Sequence, residues 1–502
     1  MIGFRIKKAL ILLLSCMLIF ITCGCGAPKG GAAAPDFEDF GDVTIESFDE
    51  FSVSEERGFV YAEEENKSAF SLSVSSSSYT YMRRAIGSHT LPEQNSVRVE
   101  EYINYFNYFV PKLSGEDFSA VTSVFNSPFG GSECLLRVTF KAKDYDRESA
   151  PCNIVILADT SASMYGADRL GLLKVAVEYL IGGLKNDDVI SLVTYAGSSK
   201  VAFEGLTAGS RGEILAAVEN LTAGGVTAGY DALTQAYAIA SNHFIEGGNN
   251  RIVLFTDGDF NFGESDSESI DNVAAEYAQR GIYLSCVGVG YGNYKDATLE
   301  KLANAGGGAT YYLDGKSEAK RVFGEQLTGT LVTVACDAKA QIEFDPSAVE
   351  SYRLIGYDNR VLSGAQFENG GTDAGEIGSS HTVTALYQVR LKIDTLLGAD
   401  IATATLRYRR PNETNERELS YKVEIVGEDS LDDVYIESAE KIRADDEFIS
   451  CVAEYGMLLR GSKYCGRASF GGLLSRLSAL ELTDKYKIEF RSLVSSAAEL
   501  YE

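Results

Sequence analysis

The sequence predicts a multidomain α/β protein. Its central domain is a doubly wound parallel sheet, flanked by a small α+β N-terminal segment and by a C-terminal β-sandwich-like domain with a helical tail. A chain of 502 residues exceeds what one hydrophobic core usually organises. Hydrophobic residues make up 45% of it, which is typical of folded proteins. Between residues 152 and 327, apolar strands alternate with amphipathic helices.

The N-terminus indicates export. A basic start precedes an apolar run over residues 9–21, which is shorter than the roughly 20 residues of a membrane span. The Cys-Gly-Cys-Gly that follows is similar to a bacterial lipoprotein signal, in which a cysteine is lipidated and becomes the mature N-terminus. We therefore expect residues 1–25 to be a lipoprotein signal peptide with Cys25 as the lipidated residue. Lipidation at Cys23 and an ordinary cleaved signal are the alternatives.

The next stretch lacks the composition of a folded segment. It is rich in glycine and alanine first and in acidic residues later, with no sustained apolar period. We expect residues 26–68 to be a disordered acidic tether that joins the lipid anchor to the folded part. The predicted location is the extracytoplasmic face of the cell membrane.

Two regions flank the α/β domain. Residues 69–150 combine strand-like alternation with the aromatic-rich helix pattern "SVRVEEYINYFNYF", which predicts a small α+β segment. Residues 328–428 alternate in the manner of a β-sandwich, and residues 429–502 show helical spacing. We expect the helical segment to pack on the preceding domains.

The central domain, residues 151–327, contains strands that are mostly apolar on both faces. Such strands form sheets that helices cover on both sides. The strand patterns are "NIVILAD", "DVISLVTYA", "RIVLFTD", "IYLSCVGVG" and "ATYYLD". Sheets of this class bind ligands at the carboxyl ends of their strands.

The charge of the chain excludes one class of partner. The formal net charge is -27, whereas nucleic-acid binding requires a basic face that displaces counterions from phosphate. We therefore expect no nucleic-acid partner. An acidic surface suits solubility, divalent cations or basic partners.

Oxygen-bearing side chains follow the apolar strands at three places. Asp159, Ser161 and Ser163 come after the first strand, Thr227 precedes a helix, and Asp257 ends another strand. Carboxylate and hydroxyl oxygens are hard ligands of the kind that Mg²⁺ prefers, although Mn²⁺ and Ca²⁺ also accept them. The pattern predicts a divalent cation with an open position for a carboxylate from a partner.

The same residues resemble a known site. D-T-S-A-S together with Thr227 and T-D-G resembles the metal-ion-dependent adhesion site of von Willebrand factor type A domains, which have a Rossmann-like fold. The resemblance implies that Ser161, Ser163 and Thr227 ligate the metal directly. It implies that Asp159 and Asp257 do so directly or through water.

Further stretches, such as "GGNNRIVLFTDGDFNFG" and "EYGMLLRGSKYCG", resemble bacterial von Willebrand type A lipoproteins. That family has its own N-terminal segment and C-terminal domain, and the likeness covers nearly everything after residue 68. Two departures are Ala162, where the family usually has glycine, and "SVSSSSY", where it has an acidic stretch.

These features predict a surface-tethered, non-enzymatic binding protein. Its cation would capture an acidic side chain of an unidentified protein partner. The first alternative is an envelope assembly or scaffold subunit, in which metal and partner occupancy shift the helix "SEAKRVFGEQL" against the domain that follows. Metal-dependent hydrolysis has the least support, because no general base lies beside the proposed site. A serine nucleophile is not supported either, since His89, His243 and His381 lie in no recognisable catalytic triad.

Overall fold

The computed structural model describes most of the chain after residue 48. The described residues are 49, 51, 54–72, 74–111, 116–145, 151–225, 229–258, 267–292, 294–370, 374–411, 413–425 and 436–501. The expected signal peptide with Cys25, the tether up to residue 48, and Thr227 lie outside them.

The elements follow one another in three blocks. The first block contains β1 (Val60–Tyr61), β2 (Lys67–Ser71), α1 (Ser77–Gly87), α2 (Val99–Asn104), β3 (Phe118–Asn126) and β4 (Glu133–Ala142). The second block contains β5 (Cys152–Asp159), α3 (Leu172–Gly183), β6 (Val189–Tyr195), β7 (Ser199–Thr207), α4 (Arg211–Glu219), α5 (Gly229–Asn242), β8 (Asn249–Thr256), α6 (Ser267–Gln279), β9 (Ile282–Val289), α7 (Asp296–Ala305), β10 (Thr310–Leu313), α8 (Lys316–Lys320) and α9 (Leu327–Leu331). The third block contains β11 (Thr333–Phe344), β12 (Val349–Leu354), β13 (Val361–Leu362), α10 (Gly364–Glu368), β14 (Gly375–Gly378), β15 (Thr382–Leu391), β16 (Asp400–Arg409), β17 (Glu416–Glu424), α11 (Ile436–Arg460), α12 (Phe470–Ala479) and α13 (Lys485–Tyr501).

The second block forms the predicted α/β domain. Its strand order is β10-β9-β8-β5-β6-β7, parallel throughout except for β7, which pairs antiparallel with β6. β5 lies between β6 and β8, so the order of the sheet reverses between β5 and β8. This reversal is the topological switch point at which such sheets bind ligands. β7 is not among the strands predicted from the sequence, because this partly exposed edge strand lacks an apolar run.

Helices cover both faces of this sheet, as predicted. The side chains of β5 alternate between the faces. Ile154 and Ile156 pack into a core with Leu180 of α3, whereas Val155 and Leu157 pack on the opposite side. A strand buried on both faces has no solvated positions, which explains its unbroken apolar sequence.

Two antiparallel sheets make up the rest of the β structure. Their strand orders are β1-β12-β15-β4-β3 and β13-β2-β11-β16-β17. They enclose one core that includes Phe70, Leu136, Ile342 and Tyr387. The segment over residues 69–150 therefore has no separate β core, because its strands complete the sandwich predicted for the C-terminal part.

The α/β domain is inserted into this sandwich between β4 and β11. Both ends of the insertion meet at one residue, Ser379. The Ser379 backbone N–H donates to the carbonyl oxygen of Val332 at 2.8 Å. Its hydroxyl accepts from the backbone N–H of Tyr145, also at 2.8 Å. The chain thus leaves the sandwich and returns to it at nearly the same place.

Part of the expected tether is ordered. Glu56 accepts a hydrogen bond from Arg353 at 3.0 Å, and Arg460 donates to the carbonyl oxygen of Ser54 at 3.0 Å. β1 pairs with β12. The expectation of disorder therefore fails for residues 54–68. An acidic composition alone does not reveal that arginines far along the chain neutralise these charges.

The C-terminal helices pack on α1 and α2. Phe106, just after α2, lies 5.0 Å from Phe448 of α11, and Phe448 lies 5.6 Å from Phe490 of α13, between ring centroids. All three rings are buried in one core together with Tyr79 of α1. Within the described part of the chain, no helix is long and apolar enough to cross a bilayer.

Candidate functional site

The predicted site lies at the carboxyl edge of the α/β sheet, at the switch point. Asp159 ends β5, and Asp257 directly follows β8. The two strands are parallel neighbours, with Ala158 opposite Phe255. The Thr256 hydroxyl donates to Asp159 Oδ2 at 3.2 Å. Strand pairing therefore brings together two carboxylates that are almost 100 positions apart in the sequence.

The loop after β5 adds two hydroxyl groups. The backbone N–H of Ser161 donates to Asp159 Oδ1 at 2.8 Å, which turns the chain back over the carboxylate. A single 3₁₀ turn over Ala162–Met164 follows. It places the hydroxyl oxygens of Ser161 and Ser163 3.0 Å apart, and the buried Met164 side chain anchors the turn. Three of the predicted ligands therefore lie within five consecutive positions, at the end of β5 and in the turn that follows it.

The loop that precedes α5 is joined to this turn. Gly224 N–H donates to the carbonyl oxygen of Thr160 at 2.8 Å, and Ala162 N–H donates to that of Gly225 at 3.1 Å. Gly225 has a φ of +89°, and an added Cβ would lie 3.1 Å from the carbonyl oxygen of Ala196, so glycine suits this close approach. Thr227 lies two positions beyond, outside the described residues, and its role as a ligand stays a prediction.

Both carboxylates are withdrawn from solvent. Asp159 is 0% exposed and Asp257 2% exposed. Burial, and secondarily the charge of nearby Asp257, raises the pKa of Asp159 to about 6, although hydrogen bonds from Ser161 oppose the shift. Two like charges held in a buried place favour a bound cation, which would stabilise both ionised forms.

Arg169 bridges the loops of the site and is not among the predicted site residues. Its Nη1 donates to the carbonyl oxygen of Ser163 at 2.8 Å, and its Nη2 to that of Tyr291 at 2.9 Å. Its Nε lies 4.0 Å from Asp257 Oδ2, too far for a hydrogen bond. Thr256 was missed as well. A hydroxyl next to a strand-ending aspartate is a signal for Thr256, whereas no local pattern marks Arg169.

The donor set fits a hard divalent cation. Asp159, Ser161, Ser163 and Asp257 supply only oxygen, as Mg²⁺ prefers. A cation held there would present a positive charge to an oxygen ligand from outside. Among the described residues, no group of three or more histidine, cysteine, aspartate or glutamate side chains is arranged to hold a metal. The candidate set differs from such a group because half of its donors are hydroxyls.

Several solved structures resemble this chain. A von Willebrand factor type A protein from Catenulispora acidiphila is 17% identical, with a TM-score of 0.42, over 73% of this chain and 88% of that one. The ArnB paralog VWA2 from Sulfolobus acidocaldarius is 15% identical, with a TM-score of 0.37, over 76% of this chain and 98% of that one.

Family models match three parts of the chain. Residues 153–325 match the von Willebrand factor type A domain, and residues 45–137 match the model described as von Willebrand factor. Residues 329–500 match the model described as "Uncharacterized protein YfbK, C-terminal". Von Willebrand factor type A domains often bind divalent cations and generally mediate protein binding.

Two curated relatives match over long stretches. "Uncharacterized protein sll0103" of Synechocystis sp. is 28% identical over 228 residues, or 44% of this chain and 51% of that protein. "Uncharacterized protein YfbK" of Escherichia coli is 35% identical over 449 residues, or 85% of this chain and 77% of that protein. The chain therefore belongs to the YfbK family, with a von Willebrand factor type A domain between an N-terminal segment and the C-terminal domain typical of that family.

Proposed function

We propose that this protein is a surface-tethered binding protein whose α/β domain captures an acidic side chain of a protein partner through a bound divalent cation. The observation that carries the proposal is the meeting of Asp159, Ser161, Ser163 and Asp257 at the switch point of the sheet. The raised pKa of Asp159 supports it, because a carboxylate that is costly to ionise alone gains from a neighbouring cation. Mg²⁺ is the preferred ion, with Mn²⁺ and Ca²⁺ as alternatives.

The proposal includes a lipid anchor at Cys25 on the extracytoplasmic face of the membrane. The basic and apolar leader supports export, and the cysteine that follows it supports lipidation. It also includes the absence of catalysis. His381 precedes β15 of the sandwich and lies against Gly329 and Gly378, and His243 follows the end of α5, at the sheet edge opposite the candidate site. Neither histidine is placed to serve as a base for Ser161 or Ser163.

Calorimetric titration of residues 26–502 with Mg²⁺ and Mn²⁺ tests the site. Ser161→Ala removes one hydroxyl donor and should weaken Mg²⁺ binding by at least about tenfold. Asp159→Ala removes a carboxylate and should weaken it further. The matched control is Ser191→Ala. Ser191 is buried in β6 of the same domain, and its hydroxyl accepts from the backbone N–H of Gly205 at 2.9 Å.

Unchanged Mg²⁺ affinity in folded Asp159→Ala and Ser161→Ala variants would contradict the proposal. If the site binds metal, crosslinked capture from the native envelope, with and without a chelator, becomes the route to the partner. The cation-dependent partner should present an exposed aspartate or glutamate.

One observation favours the scaffold alternative. The Asp314 carboxylate just before α8 and the Glu318 carboxylate within it are paired with Arg83 of α1 at 2.5 and 2.8 Å. Arg83 also pairs with Glu489 of α13 at 3.2 Å. Helix α8 is thus linked to α1 directly and to α13 through Arg83. Hydrogen exchange with and without Mg²⁺ decides the matter, since unchanged exchange over residues 317–334 would remove the alternative.

A further inference from the structure

We propose that Arg84 of α1 is a positioning residue for the candidate metal site, and that it acts through Asp168 and Arg169. The inference rests on the proposed function, because it concerns the same cation. The N-terminal segment, which contributes no predicted ligand, would thereby help to hold the site.

Arg169 bridges two loops at the candidate site. Its guanidinium donates to the carbonyl oxygens of Ser163 and Tyr291, at 2.8 and 2.9 Å. Ser163 belongs to the loop that carries the hydroxyls, and Tyr291 belongs to the loop between β9 and α7. Both Nη groups are thus used to hold the two loops together. The position of the Ser163 hydroxyl depends on this contact.

Gly290 makes room for the bridge. It has a φ of +81°, and an added Cβ would lie 2.5 Å from Arg169 Nε. A side chain at this position would therefore be strained in its backbone and would also push Arg169 away from both carbonyl oxygens. The Arg169 side chain is therefore closely packed against the backbone of Gly290.

Arg84 of α1 contacts the residues on both sides of the Arg169 bridge. Arg84 Nη2 donates to Asp168 Oδ2 at 3.0 Å, and Asp168 immediately precedes Arg169. The Arg84 guanidinium also lies 5.3 Å from the centroid of the Tyr291 ring. Arg84 therefore contacts both loops that Arg169 joins. The side chain of Arg84 is only 6% exposed, so its ion pair is poorly screened by solvent.

α1 also contacts the Tyr291 loop through a second residue. The Tyr81 ring stacks on the Tyr291 ring with centroids 6.3 Å apart. Tyr81 in turn donates its hydroxyl proton to Asp49, whose carboxylate also accepts from the backbone N–H of Tyr294. The contacts run without a break from the N-terminal segment to the hydroxyl pair of the site.

A cation held partly by hydroxyls requires its donors to be preorganised, because each neutral oxygen contributes less than a carboxylate. Residues that orient metal ligands without touching the metal typically change affinity by about 10–100-fold when they are mutated. Arg84 pairs with Asp168, which is not one of the predicted ligands. Its loss should therefore act on loop position rather than on direct repulsion of the metal.

A double-mutant cycle on Mg²⁺ affinity tests the inference, with residues 26–502 as the protein. Arg84→Met and Asp168→Ala should each raise the Mg²⁺ dissociation constant by about tenfold. The double variant should lose no more than either single variant, because both remove the same contact. In the metal-free protein, amides of residues 161–171 should exchange faster in each variant. If Arg84→Met does not fold, Asp168→Ala carries the test alone.

Arg211→Met is the control. Arg211 also donates to backbone carbonyl oxygens, those of Ile181 and Gly182, but these lie at the end of α3 that is remote from the site. The Arg211→Met variant should bind Mg²⁺ with the same affinity as the parent protein. Equal affinity of Arg84→Met and the parent would overturn the inference, and so would losses that multiply in the double variant. A parent that binds no divalent cation would overturn the proposed function and this inference together.

Discussion

Glu100 is a carboxylate that the fold holds away from solvent. It lies in α2, is 2% exposed, and contacts Gly356. Burial first, and the charge of Glu101 second, raise the pKa of Glu100 to about 7, against opposing hydrogen bonds from backbone N–H groups. The carboxyl group therefore keeps its proton in the folded state at pH values where it loses it in the unfolded chain.

This shift predicts a pH dependence of stability. The pKa of Glu100 is higher in the folded state than the 4.5 of the free side chain, so the folded state binds the proton more tightly. The protonated Glu100 contributes fully to the free energy of unfolding below pH 4.5. This free energy falls by about 3 kcal/mol as the pH rises to 7. Glu100→Gln should remove that loss. Urea unfolding at pH 5, 6, 7 and 8 should show the variant gaining on the parent as the pH rises.

Glu101→Gln is the matched control. Glu101 accepts from Arg98 and from the backbone N–H of Ser78, each at 2.8 Å. Its substitution breaks a buried ion pair and should destabilise the protein at every pH tested. A difference between Glu100→Gln and the parent that stays constant from pH 5 to 8 would contradict the assignment to Glu100.

At the scale of elements, ion pairs join helices from three parts of the chain. Arg83 of α1 is 5% exposed in its side chain and pairs with Asp314, Glu318 and Glu489. Arg321, which follows α8, pairs with Glu318 from the other side. The Asp314 and Glu318 side chains are at most 9% exposed and Glu489 is partly exposed, so the first two carboxylates depend most on these arginines for neutralisation.

Removal of Arg83 should therefore be severe. Arg83→Met keeps much of the side-chain volume but leaves buried carboxylates with less compensation, which should cost about 3–5 kcal/mol of unfolding free energy. The control is Arg280→Met. The ion pair of Arg280 with Glu276 is exposed, with 60% and 59% of the side chains accessible, and its loss should cost less than about 0.5 kcal/mol.

Denaturant unfolding of both variants under one set of conditions gives the comparison. Similar small losses for Arg83→Met and Arg280→Met would show that α1 is not held by this network. Loss of stability in Arg83→Met with normal Mg²⁺ affinity would separate the network from the neighbouring Arg84 contact.

At the scale of the whole molecule, the α/β domain and the sandwich differ in how they obtain a core. One face of the α/β sheet packs entirely on residues between 152 and 331. The sandwich instead needs β2 between β13 and β11, and β4 between β15 and β3. β2, β3 and β4 precede the α/β domain in the chain, so the C-terminal part alone cannot complete its two sheets.

We expect the isolated α/β domain to fold and the isolated C-terminal part not to fold. Residues 151–331 should fold in isolation and bind Mg²⁺ more weakly than the whole chain, because Arg84 is absent. Residues 328–502 should show no cooperative thermal transition by circular dichroism. Co-expression with residues 49–145 and the α/β fragment should restore one. A cooperative transition for residues 328–502 alone would contradict the shared sandwich.

The sequence by itself determined the α/β domain and much of its site. Apolar strands and amphipathic helices follow from local periodicity, which depends only on neighbouring residues. Asp159, Ser161 and Ser163 lie within five positions of one another at the end of β5, so their proximity follows from one turn. Asp257 directly follows β8, and the rule for doubly wound sheets places it at the same edge.

Only the tertiary structure decided which strands share a sheet and which charges share a pair. β2 and β11 are separated by more than 260 positions, and Arg353 meets Glu56 almost 300 positions away. Nothing in the local pattern of β2 or of the acidic stretch specifies such partners. The strand partners are selected by the burial of a common core, and the charge partners by the free-energy cost of leaving a buried charge unpaired. Both depend on residues that come together only when the whole chain folds.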